Sequence, residues 1–566
     1  MNERRTIVIV GGVAGGASAA TRARRMNEHA NIILIEKNEH VSFANCGMPY
    51  FIGGEIENRD QLMVATTDFL RRRFLIDVRV KEKAVQINRA RKTLTVEKRN
   101  GESYELPYDR LILSPGARAV VPMLPGTNAA NVLTLRNLDD MDRIKSQLEQ
   151  GQVRSAIVVG SGFIGLEVVE QLVACRVKTT LIERALSVLP MMDCEMTDPI
   201  REELEKYEVD LHLGSMIESI TLNAEGRAVS VRLNSGEEVA TDLVVFGIGV
   251  ISNSELAGEA GLELGPTGAI RTNRFMQTSD PSIYAVGDAA EYTYGPTGES
   301  ERIAMAGPAN RSGRIAGQHA ATDESEPMHH VQGTAIVRIF GITAGFTGLT
   351  AVTANAKGID CLHATILAKD HAGYYPGAEL MTIKLTYQPD SGRILGAQVI
   401  GGRGCDKRLD VISTAMHFGG DVRQLTGVDL AYAPPYGSAK DPIHMAAFVA
   451  ANQLDGIEFL CDADANLLNR KVLDVRTSAE VTARPLAGVM KITHIPIDEL
   501  RERIAELGDP VNGEPWVIAC AVGIRGHLAA RILSQNGYQC ENLSGGATVR
   551  GRAWNARQQP ISESNN

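Results

Sequence analysis

The 566-residue chain is predicted to be an α/β protein of several domains. Three observations predict this. A glycine-rich turn between an apolar strand and a helix occurs twice, in "RTIVIVGGVAGGASAATRARRM" and "SAIVVGSGFIGLEVVEQL". Between residues 326 and 450, β-branched and aromatic residues alternate around "PDSG", as in a hairpin. A last strand–loop–helix, "PWVIACAVGIRGHLAARIL", holds a cysteine between strand and helix. Together they give two Rossmann-like dinucleotide-binding domains, an α+β domain and a C-terminal α/β domain. The expected limits are 1–150 with 250–325 for the first domain, and 151–249 for the second. The third spans 326–450, followed by a linker at 451–461, a last domain at 462–557 and a tail at 558–566.

The first turn contains Gly11, Gly12, Val13, Ala14, Gly15 and Gly16, and the following strand ends at Glu36. Glycines here let backbone N–H groups approach a pyrophosphate at the helix N-terminus. The acidic residue can hold a ribose hydroxyl. Val13 stands where GxGxxG has its middle glycine, so a plain βα turn stays open as a reading. The second turn matches in full at Gly160, Gly162 and Gly165, with Glu183 at the next strand end. A carboxylate there accepts from a 2′-hydroxyl and repels a 2′-phosphate, which predicts NADH over NADPH. Arg184 beside it can accommodate the phosphate.

Composition excludes several classes. The net charge of −10 argues against nucleic acid as a partner. No apolar run reaches the roughly 18 residues of a membrane span. "MNERRTIVIVGG" is too short in its apolar part for a signal peptide, so a cytoplasmic protein is expected. Eight dispersed cysteines without a CxxC pair give neither a disulfide framework nor a zinc site, and no metal is expected. In a reducing compartment, a special cysteine is catalytic rather than structural.

"TSDPSIYAVGDAAE" places Asp288 after a short strand. In a chain with two dinucleotide turns, it resembles the second flavin motif of two-dinucleotide-binding flavoproteins. "LILSPGA" and "VVFGIGV", with Ser114, Gly116 and Gly249, resemble the strand ends where such chains cross between domains. The resemblance implies FAD in the first domain and NADH in the second. It carries cofactor contacts to Lys37, Asn45, Ala84, Arg136 and Ala306, and to Ile164 on the nicotinamide side.

In "SFANCGMPYFIGG", Cys46 is followed five places later by Phe51, so this motif cannot close an internal disulfide. A buried free thiol is the bland reading; the Gly-Pro-aromatic setting reads instead as a turn beside a site. "VSFANCGMPY", "GGVAGGASAATRARR" and "YAPPYGSAKDPI" closely resemble the coenzyme A disulfide reductase family, over residues 5–450. These single-cysteine flavin disulfide reductases are related to NADH peroxidase and NADH oxidase. The resemblance implies that Cys46 forms a mixed disulfide with substrate sulfur, an attack that requires a thiolate. It implies a coenzyme A channel at Ser18, Arg22, Arg25, Ser42, Asn45, Asn310 and Lys440, with Arg71 of "FLRRRF" as a further phosphate candidate. Arg24 reads as part of a solvated basic face. The resemblance makes residues 326–450 a dimerisation domain of a homodimer. Tyr436, with Tyr374 or Tyr375, would be the assisting hydroxyl, reaching across from the partner subunit.

Residues 462–557 resemble a rhodanese domain through Cys520, Gly523 and Arg525, a Cys-x-x-Gly-x-Arg loop before a helix. Loop N–H groups and the helix N-terminus would favour a thiolate or persulfide on Cys520. "ARPLAGVMKITHIP" departs from the fuller rhodanese signature. Two sulfur-handling cysteines suggest an FAD-dependent NADH:persulfide or polysulfide reductase, in which Cys520 carries sulfane sulfur to a coenzyme A carrier. Simple coenzyme A disulfide reduction is the closest alternative. An NADH oxidase or peroxidase cycling through a sulfenic acid and a sulfur-trafficking or redox-sensing partner protein are the others.

Overall fold

The computed structural model describes residues 4–510 and 514–557, so the expected tail at 558–566 lies outside the described residues. Strand Thr6–Val10 pairs in parallel with Asn31–Glu36 on one side and Arg110–Leu113 on the other. Asp77–Val80 and Ile283–Ala285 close the two edges of this five-stranded sheet. The second sheet repeats the order around Ser155–Val159, with Lys178–Glu183 and Asp210–Leu213 to one side. Leu243–Phe246 and Val132–Thr134 lie to the other. Val132–Thr134, although N-terminal to residue 151, thus forms an edge of the second sheet. These strands are apolar on both faces because each sheet is covered by helices on one side and by a three-stranded antiparallel sheet on the other, residues 82–107 for the first and 217–240 for the second.

Ala117–Ala119 and Val250–Ser252 pair antiparallel where the chain passes between the two units. The third unit is an antiparallel sheet in the order Ala335–Ile339, Ile342–Gly348, Ile394–Gly401, Leu380–Tyr387, Leu362–Lys369. Its "PDSG" segment joins the paired strands Leu380–Tyr387 and Ile394–Gly401, as the alternation predicts. Helices Cys405–His417 and Pro442–Leu454 pack on it. The last unit is a five-stranded parallel sheet, with Trp516–Ala519 between Cys540–Leu543 and Val472–Asp474.

The last unit packs on the rest through specific contacts. Leu367, Ala463 and Val549 form a small apolar cluster across the joint. Thr365 N–H donates to Ser544 Oγ at 3.0 Å, and Arg552 donates to Thr382 Oγ1 at 2.9 Å. Nearby, the buried Lys384 ammonium lies 2.7 Å from Asp193 and 2.6 Å from Glu195, tying the second and third units together. Among the described residues no helix is long and apolar enough to cross a membrane.

Candidate functional site

The two glycine turns are built alike. Gly11 and Gly160 adopt φ of 94° and 97°, a region that excludes most side chains. A Cβ on Gly16 would lie 1.8 Å from Gly11 O, and one on Gly165 would lie 1.9 Å from Gly160 O. Each helix therefore packs directly on its own turn. A Cβ on Gly162 would meet nothing closer than 4.0 Å, which explains why Val13 is tolerated at the matching place in the first turn. Glu36 accepts from Gly12 N–H at 2.9 Å, and Glu183 accepts from Ser161 N–H at 2.8 Å. Both carboxylates thus brace a turn from the next strand's end.

Both turns open into one cavity of about 2100 Å³. Gly11, Val13, Ala14, Gly15, Glu36 and Lys37 line its first part, with Asn45, Ala84, Ser114, Gly116 and Ala306. Gly160, Gly162, Ile164, Glu183 and Gly249 line the second. Gly12, Gly16 and Gly165 stand behind the walls as structural supports. Cys46, Arg136 and Asp288 lie in the cavity where the parts meet, and Arg136 donates to Asp288 at 2.6 Å. The paired cradles and bracing carboxylates fit two dinucleotides.

Cys46 sits in the single turn Asn45–Gly47, which runs into helix Met48–Gly53. It opens to the cavity as a free thiol, and no other cysteine lines that cavity. Its surroundings oppose a thiolate. Burial raises the thiol's pKa, Glu167 and Asp288 raise it further, and Arg136 acts against them. Glu167 escaped the sequence reading because it lies on helix Phe163–Ala174 of the second unit. Tyr50 OH donates to it at 3.1 Å, and burial lifts its carboxyl to about 6. Arg338 of the third unit lies 5.5 Å over the Tyr50 ring and pairs with Glu55 and Glu170. Glu167→Gln is expected to speed alkylation of Cys46 above about pH 6, where the wild-type carboxylate is charged. Below that pH the two rates should converge, because wild-type Glu167 is itself neutral. Rates with iodoacetamide between about pH 5 and 8 check this.

The coenzyme A candidates lie outside that cavity, except Asn45. Ser18 donates to Asn310 at 2.6 Å, and Arg22 donates to Gln318 at 3.1 Å. Helices Ala14–Met26 and Ala306–Thr322 therefore present these residues along one seam. Burial, then Arg314 and Arg25, lower the pKa of Arg22, so three guanidinium groups gather there. Arg25 stacks over Phe74, Arg71 donates to Val78 O, and Ser42 adopts φ of 48° beside the cysteine turn. Lys440 is exposed. Arg24 corrects the expectation of a solvated face: it is buried and donates to the carbonyls of Phe74, Leu75, Glu28 and Ala30. The helix ends in a turn whose carbonyls need those donors.

Tyr436 and Tyr375 are exposed and lie away from Cys46 within the chain. Their loops touch, as Ala372 N–H donates to Gly437 O at 3.0 Å. Tyr374 hydrogen-bonds Tyr432 instead, at 3.1 Å. Cys520 is buried at the end of strand Trp516–Ala519, and Gly523 N–H donates to its sulfur at 3.0 Å. Arg525 pairs with Glu480, with contacts of 2.8 and 2.6 Å, and stays near the thiol, since Glu480 first and then Cys520 raise its pKa. Sequence spacing alone could not show that pairing.

Residues 5–322 match the model for pyridine nucleotide-disulphide oxidoreductases, and residues 334–441 match the dimerisation domain of that family. The chain belongs to the pyridine nucleotide-disulphide oxidoreductase family. Coenzyme A disulfide reductase of Staphylococcus aureus (strain JH9) is 35% identical over 445 residues, 78% of this chain and 99% of that one. The structure of reduced Bacillus anthracis CoADR-RHD superimposes with a TM-score of 0.92 at 41% identity, covering 98% of this chain and 99% of the other. An NAD-dependent persulfide reductase from A. fulgidus gives 0.88 at 36% identity, covering 96% and 99%. The protein is a flavin-dependent pyridine nucleotide-disulfide oxidoreductase that uses FAD and NAD(H). FAD held along the first cradle and NAD(H) along the second would supply two-electron hydride chemistry to the shared cavity. The oxidoreductase itself supplies two glycine turns whose geometry fits dinucleotides, the carboxylates that brace them, and Cys46 in the shared cavity.

Proposed function

We propose that this oxidoreductase is an NADH-dependent persulfide reductase for coenzyme A persulfide and related sulfane sulfur. One observation carries the reading: Cys46 is the sole cysteine lining the cavity shared by both dinucleotide cradles. Its disulfide partner must then arrive with the substrate. The Cys46 thiolate attacks the inner sulfur of R–S–SH. The S–S bond breaks, hydrosulfide leaves, and a Cys46–S–S–R mixed disulfide forms. Two electrons and one proton return it to the Cys46 thiolate and R–SH. The names of the Staphylococcus aureus and A. fulgidus relatives support this pair of substrates.

Coenzyme A, the proposed R group, would lie along the Ser18, Arg22, Arg25 and Asn310 seam, whose guanidinium groups suit phosphates. The last unit is proposed to be a rhodanese domain. Cys520 takes the outer sulfur of a donor persulfide as Cys520–S–SH, releasing the donor thiolate. Coenzyme A thiolate then takes that sulfur, restoring the Cys520 thiolate. Exposed Tyr374 and Tyr436 on the third unit suit a homodimer interface. Eight free thiols suit a reducing cytoplasm.

Sulfide release tests the scheme. With NADH and coenzyme A persulfide, Cys520→Ser should release sulfide at the wild-type rate. With thiosulfate as the sulfur source and coenzyme A as carrier, the same variant should lose sulfur transfer. Unchanged transfer from thiosulfate and from every persulfide donor would remove the carrier role of Cys520. If coenzyme A disulfide is reduced faster than the persulfide, disulfide reduction is the main activity.

A further inference from the structure

Glu458 belongs to the segment between the third unit and the C-terminal sheet. Its side chain is nevertheless fully buried beneath the Cys520 loop. One carboxylate oxygen accepts from Asn542 Nδ2 at 2.8 Å, and the other lies 2.8 Å from His527 Nδ1. The same Asn542 nitrogen donates to Gly523 O at 3.1 Å. Gly523, at φ of 98°, is the residue whose N–H reaches the Cys520 sulfur.

The order of donors and acceptors fixes the arrangement. An ionised carboxylate can only accept. It therefore turns the amide nitrogen of Asn542 toward itself, and the second N–H of that amide then meets Gly523 O. The amide oxygen of Asn542 is left without a hydrogen-bond partner among the described residues. It faces Gly526, where an added Cβ would lie 2.1 Å away. The flipped amide would place oxygen against both Glu458 and Gly523 O, which is repulsive. The segment carrying Glu458 is held from both sides. Ile457 N–H donates to Asn452 O on helix Pro442–Leu454, at 2.9 Å. Asn542 N–H donates to Phe459 O at 2.8 Å, and Arg531 donates to Ile457 O.

We propose that Glu458 is a positioning residue for sulfur transfer: through Asn542 it holds Gly523 so that its N–H faces the Cys520 sulfur. Sulfur transfer then depends on how the segment joining the domains is seated. Other charges near the sulfur loop are already paired, Arg525 with Glu480 and Arg476 with Asp474. The functional consequence rests on the carrier reading of Cys520, whereas the hydrogen-bond chain does not.

The test uses the full-length, flavin-loaded chain and Glu458→Gln, a variant of the same shape. A glutamine can donate as well as accept, so only Gly523 O still orients the Asn542 amide, and Asn542 flips more readily. Hydrogen exchange at the Gly523 amide should quicken about tenfold, the loss of one hydrogen bond. Loading of Cys520 by thiosulfate should slow by a similar factor, since a donor facing the sulfur is lost. NADH-driven reduction of coenzyme A disulfide at Cys46 should stay unchanged, showing that the rest of the chain is intact. Asn542→Ala, which removes the bridge without touching the linker, should reproduce the exchange and loading changes. Exchange at Gly523 that superimposes on wild type in Glu458→Gln overturns the proposal. A wild-type chain whose Cys520 takes no sulfur counts against the carrier reading, and Gly523 exchange still decides the role of Glu458.

Discussion

Replacing Cys46 by serine is expected to lower NADH-driven sulfide release from coenzyme A persulfide by roughly 10³-fold or more. The hydroxyl cannot displace sulfur or store two oxidising equivalents as a mixed disulfide. Both glycine turns and their bracing carboxylates lie apart from the substitution, so flavin and NADH binding should persist. The variant should be yellow, and NADH should still bleach its flavin. The measurement is sulfide formed per NADH consumed under anaerobic conditions. A variant that binds both cofactors yet makes no sulfide separates the loss of the nucleophile from the loss of the fold. It also separates this mechanism from one in which reduced flavin attacks the persulfide directly, where the serine variant would stay active.

The largest effect on stability is expected away from the cavity, at Lys384. Burial alone would lower the pKa of this ammonium, but Glu195 and Asp193 outweigh it and raise the pKa. Asp193 also accepts from Val352 N–H at 2.9 Å and Gln398 Nε2 at 2.6 Å, so one cluster joins elements of the second and third units. Lys384→Met leaves two buried carboxylates without their cation, at a cost of about 3–5 kcal/mol. The sign with pH is definite. Burial pushes the Asp193 pKa up, but Lys384 and the hydrogen bonds outweigh it and hold it below its ordinary value. The wild-type contribution is thus present above the unfolded carboxylate pKa and fades as the pH falls through the folded one. The deficit of the variant should be largest near neutral pH and shrink on acidification, as the orphaned Asp193 becomes protonated. Thermal unfolding of wild type and variant at about pH 7 and about pH 5 measures both. Equal melting temperatures at neutral pH would mean that the cluster contributes nothing.

The parts of this protein that were legible in its sequence are those whose chemistry is local. Strand, turn and helix follow one another within some thirty residues at each dinucleotide cradle, and their motif glycines other than Gly162 stand where a Cβ clashes. Val13 looked like a defect of the motif. The space around its counterpart Gly162 shows that this position never needed glycine. Cys46 and Cys520 were legible for the same reason, since each sits in a short turn before a helix. What escaped depends on elements far apart in the chain. Glu167 and Tyr50 meet across 117 residues, and Glu458 and Asn542 across 84. Arg24 was misread because a basic residue on a helix is usually solvated. Only the fold shows that a ring of backbone carbonyls surrounds it. Arg525, placed by its motif beside Cys520, also pairs with Glu480, a partner 45 residues away that the motif could not show.

Most directly, the account requires a substrate-derived mixed disulfide on Cys46. Flavin-loaded protein should be mixed with coenzyme A persulfide without NADH, quenched in acid and digested. The mass of the peptide containing Cys46 is then read before and after NADH is added. The account predicts a coenzyme A adduct on Cys46 that NADH removes, with one hydrosulfide released as the adduct forms. A Cys46 peptide that stays unmodified while NADH is consumed and sulfide appears would contradict it.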